Sequence, residues 1–180
     1  ADQYRAGEYK PLSTDQAITY CAFLKEWFEQ HNIEVIRTGL QSTEELDSGN
    51  SLVAGPYEPA MGELVVNEQF KQRIERCIDE YFSLRRFSSQ SFSGYPYSYI
   101  GSPSNNHYSH KVECRTYANH KGRLTKHRIR ISYPRSLTSK VRGLKNRNIL
   151  YFQEAYPQFN IEWCEDSTRN TVRCCIDGLQ

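Results

Sequence analysis

Val35-Ile36-Arg37-Thr38-Gly39-Leu40-Gln41, followed further on by Ala54-Gly55-Pro56-Tyr57-Glu58-Pro59-Ala60-Met61-Gly62-Glu63-Leu64, decides how the first half of this chain is read. An apolar strand with a Gly at its end and a polar Gln beyond it is what a parallel α/β unit places at the carboxyl edge of its sheet, where ligands bind in such folds. The pattern predicts a strand over 33–38 that leaves a barrel-like sheet and enters a shaped loop. Any chemistry in this half is expected at that edge.

The flanking residues supply helices on both sides. Ser13 with Gln16 three residues on makes a capping box, and Ala17, Cys21, Leu24 and Phe28 then recur at helical spacing until Asn32 closes the segment. Beyond the Gly-Pro loop, Asn67 is expected to cap a second helix in which Phe70, Ile74, Cys77, Ile78, Tyr81 and Phe82 form one apolar stripe. One strand between two helices leaves both of its edges unpaired. This half therefore calls for more protein to dock on, or for strands borrowed from the second half.

The whole chain has 180 residues, 38% hydrophobic and 13% aromatic, enough for one ordinary core or two small ones. No apolar stretch approaches the roughly 20 residues that cross a bilayer, and Ala1-Asp2-Gln3-Tyr4-Arg5 lacks the apolar core of a signal peptide. A soluble, cytoplasmic protein with no membrane partner is expected. The six cysteines are read as reduced thiols: Cys21 and Cys77 fall on apolar helix faces, and the vicinal Cys174 and Cys175 point to opposite faces of a strand. No pair has zinc-knuckle spacing and no three are closely spaced as an iron–sulfur site requires, so no metal is expected in this chain alone.

The net charge of +2 hides a division. Between His107 and Arg147 stand twelve Lys or Arg residues and one acid, Glu113, a balance of +11. The remaining residues hold eleven cations and twenty acids, a balance of −9. Two parts with different partners follow from this. Ser88 to Asn105, rich in Ser, Tyr, Gly and Pro, suits a connector between them.

In the basic part, His127 to Tyr133 alternates, with Ile129, Ile131 and Tyr133 on one face and Arg128 and Arg130 on the other. The stretch Ser139-Lys140-Val141-Arg142-Gly143-Leu144-Lys145-Asn146-Arg147-Asn148-Ile149 then reads as a loop leading into a helix with Ile149, Phe152 and Tyr156 inward, ended by Pro157. Phe159, Ile161 and Trp163 alternate as a strand. Val172, Cys174 and Ile176 do so again after the turn Asp166-Ser167-Thr168-Arg169-Asn170. So dense a cluster of cations around one loop and one strand face points to a polyanion, and RNA is the one favoured. A hydrolytic reading, with His110 as base and Glu113 or Arg115 as partners, lacks a nucleophile and a second acid.

Two resemblances add to this. Gly7-Glu8-Tyr9-Lys10-Pro11-Leu12-Ser13, the helix after it, and the two stretches quoted first resemble the C-terminal part of bacterial radical SAM proteins related to the elongator catalytic subunit, over about residues 4–70. The resemblance implies that Val35 to Gln41 is the last strand of a partial barrel, with Arg37 and Gln41 facing the SAM or substrate pocket. It also implies a preceding domain carrying a three-cysteine iron–sulfur motif, which this sequence lacks, so SAM and the cluster belong to the parent enzyme. Glu58 stands where the family's loop carries His. Further on, Val141-Arg142-Gly143-Leu144-Lys145-Asn146 resembles the backbone-clamping Gly-x-x-Gly loop of a KH domain, with Asn146 in place of the second Gly, over about residues 125–177. In such a loop, small residues bring backbone N–H groups and a helix N-terminus against phosphates while flanking cations attract them.

The expected architecture is thus α+β: an αβ(α) segment over 1–87 resembling the end of a radical SAM partial barrel, a connector over 88–106, and a small basic KH-like α/β module over 107–180. The expected function is the RNA-binding, C-terminal portion of a radical SAM enzyme. It positions a tRNA-like substrate through Arg128, Arg130, Lys140, Arg142, Gly143, Lys145, Asn146 and Arg147, with no catalytic residue of its own. The alternative is a self-sufficient nucleic-acid-binding or scaffold module.

Overall fold

The chain is α+β in a computed structural model that describes residues 1–88, 112–117 and 128–177. The connector expected over 88–106 lies, from residue 89 on, outside the described residues, and so do His107, His110, His120 and His127. Two compact units are formed, Ala1–Gln69 and Phe70–Gln180, and the division between them falls inside one long helix.

In the first unit a short helix α1 (Asp2–Arg5) precedes α2 (Thr14–Gln30). The capping box at the start of α2 forms as its sequence indicates: Gln16 N–H donates to Ser13 Oγ at 3.2 Å and Ser13 N–H donates to Gln16 Oε1 at 2.9 Å. Asn32 closes the helix in the left-handed region at φ 57, with Ile33 N–H donating to the Phe28 carbonyl and Asn32 N–H to that of Glu29. Those two bonds satisfy carbonyls that the helix end would leave orphaned. Residues 33–38 then run without regular structure, and among the described residues no strand pairs with them. The strand expected there does not form because a strand needs a neighbour to take its N–H and C=O groups. Every strand of the sheet lies in the other unit.

After α3 (Glu44–Asp47), the helix α4 (Met61–Ser88) begins earlier than expected. Glu58 Oε1 accepts from Ala60 N–H at 3.3 Å and the Glu58 carbonyl accepts from Met61 N–H at 3.0 Å, with Pro59 between them. Pro59 lies in the turn just before the helix, where its missing N–H costs no helical bond, and a carboxylate suits the positive end of the helix. Asn67 is consequently a buried residue inside α4 and not its cap. The unit's core is small: Ala17, Ile18 and Ala22 of α2 against Met61, Leu64 and Val65 of α4, with Cys21 and Ala60 partly buried beside them. Leu24, expected in that core, is 47% exposed. The small side chains of α2 let α4 approach closely, and the wider apolar stripe of α2 is left outward.

In the second unit, β2 (Arg128–Tyr133) is central. It runs parallel to β3 (Asn160–Glu165) and antiparallel to β4 (Val172–Asp177), which in turn runs parallel to β1 (Val112–Tyr117), giving the order β1-β4-β2-β3. The 166–170 turn therefore does not close a hairpin, because the chain leaves the edge strand β3 and crosses β2, so that β4 pairs with the far side of β2. Ile129, Ile131 and Tyr133 of β2 and Val172, Cys174 and Ile176 of β4 are fully buried on one face. Cys175, on the other face, is only partly buried, as alternation requires. Between β2 and β3 come a 3₁₀ turn (Arg135–Leu137), α5 (Thr138–Arg142), a second 3₁₀ turn (Leu144–Asn146) and α6 (Arg147–Ala155). Sequence periodicity misses α5, which is one turn long. From Phe70 onward, α4 contributes its expected stripe, with Phe70, Ile74 and Ile78 fully buried. Tyr151 of α6 donates to Glu75, Lys71 lies 4.5 Å from the Tyr151 ring centroid, and Phe82 stacks on Phe159 at 5.1 Å.

Candidate nucleic-acid interface

The turn between α5 and α6 is built on three residues with positive φ: Gly143 (79°), Lys145 (53°) and Asn146 (61°). Gly143, at ψ 156, occupies a region open in practice to glycine alone. A Cβ there would also lie 3.0 Å from Asn148 N and 3.1 Å from its side chain. Asn148 is 2% exposed, and its Nδ2 donates to the Val141 carbonyl at 3.0 Å, tying the end of α5 to the first turn of α6. Gly143 N–H reaches the Ser139 carbonyl and Asn146 N–H reaches the Gly143 carbonyl, each at 2.9 Å. The turn is held from inside while Leu144, Lys145, Asn146 and Arg147 face outward.

Around this turn the chain sets Lys140 and Arg142 at the end of α5, Lys145 in the turn and Arg147 at the first position of α6. Asn146 is the N-cap of α6 but puts no side-chain bond on the helix. Its Oδ1 instead accepts from Arg142 Nε at 3.2 Å. Behind Arg142, Tyr133 is buried; burial pushes its phenol up, and Arg142 acts the other way through its charge and through a contact with the hydroxyl. Cations, outward backbone and the positive end of a helix converge here, which is the chemistry of a phosphate contact.

Arg128 and Arg130 belong to a different surface. They lie on the polar face of β2, and both engage Glu162 of β3, Arg128 Nε at 3.4 Å and Arg130 Nη2 at 3.2 Å, with Arg130 Nε also at 3.2 Å. One carboxylate held between two guanidinium groups lowers the positive potential of that face. Sequence alternation places these arginines correctly but does not show Glu162 opposite them, since the register of β2 on β3 is a long-range fact. Sequence patterning does not anticipate Asn148 either. A polar residue inside the apolar stripe of α6 is its one sequence signal.

In the first unit, Arg37 and Gln41 do come together: Arg37 Nη1 donates to Gln41 Oε1 at 3.2 Å, on an exposed stretch. Gly39 between them has φ 85, and a Cβ on it would come 2.8 Å from Met61 Cβ, so this stretch presses its glycine against the start of α4. Beside it, Ser42 and Tyr57 both donate to Asp47. The Ser42 bond first, then that of Tyr57, holds the Asp47 carboxyl below its ordinary value, and the Asp47 bond raises the Tyr57 phenol. Tyr57 thereby fixes the Gly-Pro loop, and Met61, 5% exposed, anchors its end.

An iron–sulfur cluster needs several cysteine thiolates in one place. Among the described residues no three His, Cys, Asp or Glu side chains are grouped to hold a metal. Cys77 and Cys174 are buried, and Cys21, Cys164 and Cys175 are partly buried. Among the described residues no helix is long and apolar enough to cross a membrane.

No curated protein and no solved structure matches the chain. Residues 1–72 match the family model of the Radical_SAM C-terminal domain. That match takes in α1, α2, α3, the Arg37–Gln41 stretch, the Gly-Pro loop and the first three turns of α4, and leaves the sheet and the Gly143 turn outside it. It supports a radical SAM C-terminal region over residues 1–72.

Proposed function

We propose that the chain is the RNA-positioning, C-terminal portion of a radical SAM enzyme related to the elongator catalytic subunit. It works with a radical SAM domain that supplies SAM and an iron–sulfur cluster, and it holds tRNA through the basic KH-like module over 107–180. The observation that carries this reading is the Gly143–Asn146 turn, where Lys140, Arg142, Lys145 and Arg147 surround outward backbone at the start of α6. Arg128 and Arg130, tempered by Glu162, contribute a second and weaker phosphate-facing surface. Arg37 and Gln41 serve the SAM or substrate pocket once the radical SAM domain is in place.

The first unit supports the partnership. Tyr20, Phe23, Leu24 and Trp27 are 43–64% exposed along α2, and Ile36 is 93% exposed. Contiguous apolar surface of this kind marks an interaction site. The second unit supports the alternative of a self-sufficient nucleic-acid-binding module, because one face of its sheet is fully buried.

A gel-shift titration of the full chain with tRNA at several salt concentrations tests the reading common to both. Binding at low salt that weakens steadily as salt rises is the expected result. Undetectable binding at low salt, or binding indifferent to salt, refutes the RNA assignment.

A further inference from the structure

Asn146 occupies the place of the second glycine in a clamping turn, and its own geometry gives a reason. At φ 61 and ψ 25 it sits in the left-handed region, which asparagine tolerates better than most residues. A glycine would adopt that conformation with less strain, so the backbone alone does not call for a side chain. The side chain is also not spent on capping α6, the usual use of Asn at such a position. It reaches back across the turn to accept from Arg142 Nε at 3.2 Å. An Arg bound through Nε has its guanidinium plane fixed, and the terminal donors beyond its contact with Tyr133 are held in that plane for a phosphate. Lys145, also left-handed at φ 53, carries the turn between the two partners.

We propose that Asn146 is a positioning residue that clasps Arg142 and aims its terminal nitrogens at an RNA phosphate. This rests on the RNA reading above and adds to it which cation is preorganised and by what. Arg142 is the cation that contacts the phosphate. Asn146 reduces the rotamer freedom that Arg142 would otherwise lose on binding.

The test uses the full chain and a short single-stranded oligouridylate, with affinity measured across a salt series. Arg142→Ala is expected to make the slope of log affinity against log salt shallower by about 0.7, the value of one phosphate contact on a single strand. Asn146→Gly keeps the turn conformation and is expected to weaken binding several-fold with a shallower slope, while adding nothing to the effect already caused by Arg142→Ala. Independent effects that simply add in the double variant overturn the clasp. In the free protein, the Arg142 Nε–H proton is expected to exchange with water faster in Asn146→Gly than in the parent, and unchanged exchange likewise overturns it. If the parent chain binds no RNA while Arg142 Nε–H is protected, the RNA reading fails and the phosphate role fails with it. If RNA binds with its normal slope in Asn146→Gly, only the positioning role fails.

Discussion

Phe23 and Phe152 are the same residue type on helices of the two units, and their surroundings differ completely. Phe23 on α2 is 64% exposed, whereas Phe152 on α6 is fully buried, stacked on Tyr156 at 5.6 Å and tilted against Trp163 at 5.7 Å. The contrast extends across both units. Large apolar side chains from Tyr4 to Val53 lie exposed in the first, while in the second only Leu144 and Leu150 do among the described residues. The second unit buries both apolar sheet strands and the stripes of its helices. The first has a core of few residues and an extended segment with no strand beside it among the described residues. An element that reads as amphipathic shows which side wants cover, but not whether the same chain supplies it.

Truncating each phenylalanine separates the two units by the largest margin. Phe152→Ala is expected to cost about 3–5 kcal/mol by chemical denaturation, the range for emptying a packed aromatic site. Phe23→Ala should stay within about 0.5 kcal/mol of the parent, as surface changes do. Comparable destabilisation by the two would show that α2 is covered in solution.

Two of the positive-φ glycines, Gly39 and Gly143, give the next largest effects. Gly39→Ala meets both a left-handed backbone and Met61 Cβ at 2.8 Å. It is expected to cost about 1–3 kcal/mol through strain and overpacking. Gly143→Ala should cost a similar amount through its backbone region and Asn148, and it should also weaken RNA binding. A stable Gly143→Ala chain with full RNA affinity would show that the tight turn is not the contact. Asn148→Ala leaves the buried Val141 carbonyl without its donor and is expected to cost about 1–3 kcal/mol in thermal or chemical unfolding.

The smallest effect concerns the loop of the first unit. Asp47 has a lowered folded pKa, so its contribution is present above the ordinary carboxylate range and is lost as pH falls through the lowered value. Tyr57 has a raised one, so its contribution is present below the ordinary phenol value and is lost as pH rises through the raised value. The loop is therefore expected to loosen at both extremes. In Asp47→Asn, ultraviolet titration should show Tyr57 ionising at lower pH than in the parent; no movement would mean that the Tyr57–Asp47 bond does not form in solution.

Much of the second unit is legible in sequence because its signals are local and redundant. Alternation at Ile129, Ile131 and Tyr133, helical spacing at Phe152 and Tyr156, and the glycine in the basic turn each give the same answer as the packing. The Ser13 capping box and the Asn32 terminus are legible for the same reason. The strand over 33–38 is not, since its apolar alternation describes a strand only when a neighbour accepts its hydrogen bonds. The start of α4 is misplaced in sequence because Glu58-Pro59 reads as a turn until Met61 is seen packing on α2. The β1-β4-β2-β3 order and the capture of Arg128 and Arg130 by Glu162 depend on pairings remote in sequence, which no local pattern contains.

If the turn between α5 and α6 carries the attraction for RNA, removing its cations must change the salt dependence of binding. The parent chain and a variant with Lys140, Arg142, Lys145 and Arg147 all changed to Gln are titrated with tRNA over a range of salt concentrations. A slope shallower by about 3 is expected in the variant, at roughly 0.7–0.9 for each phosphate no longer neutralised. An equal slope in the two proteins would contradict it.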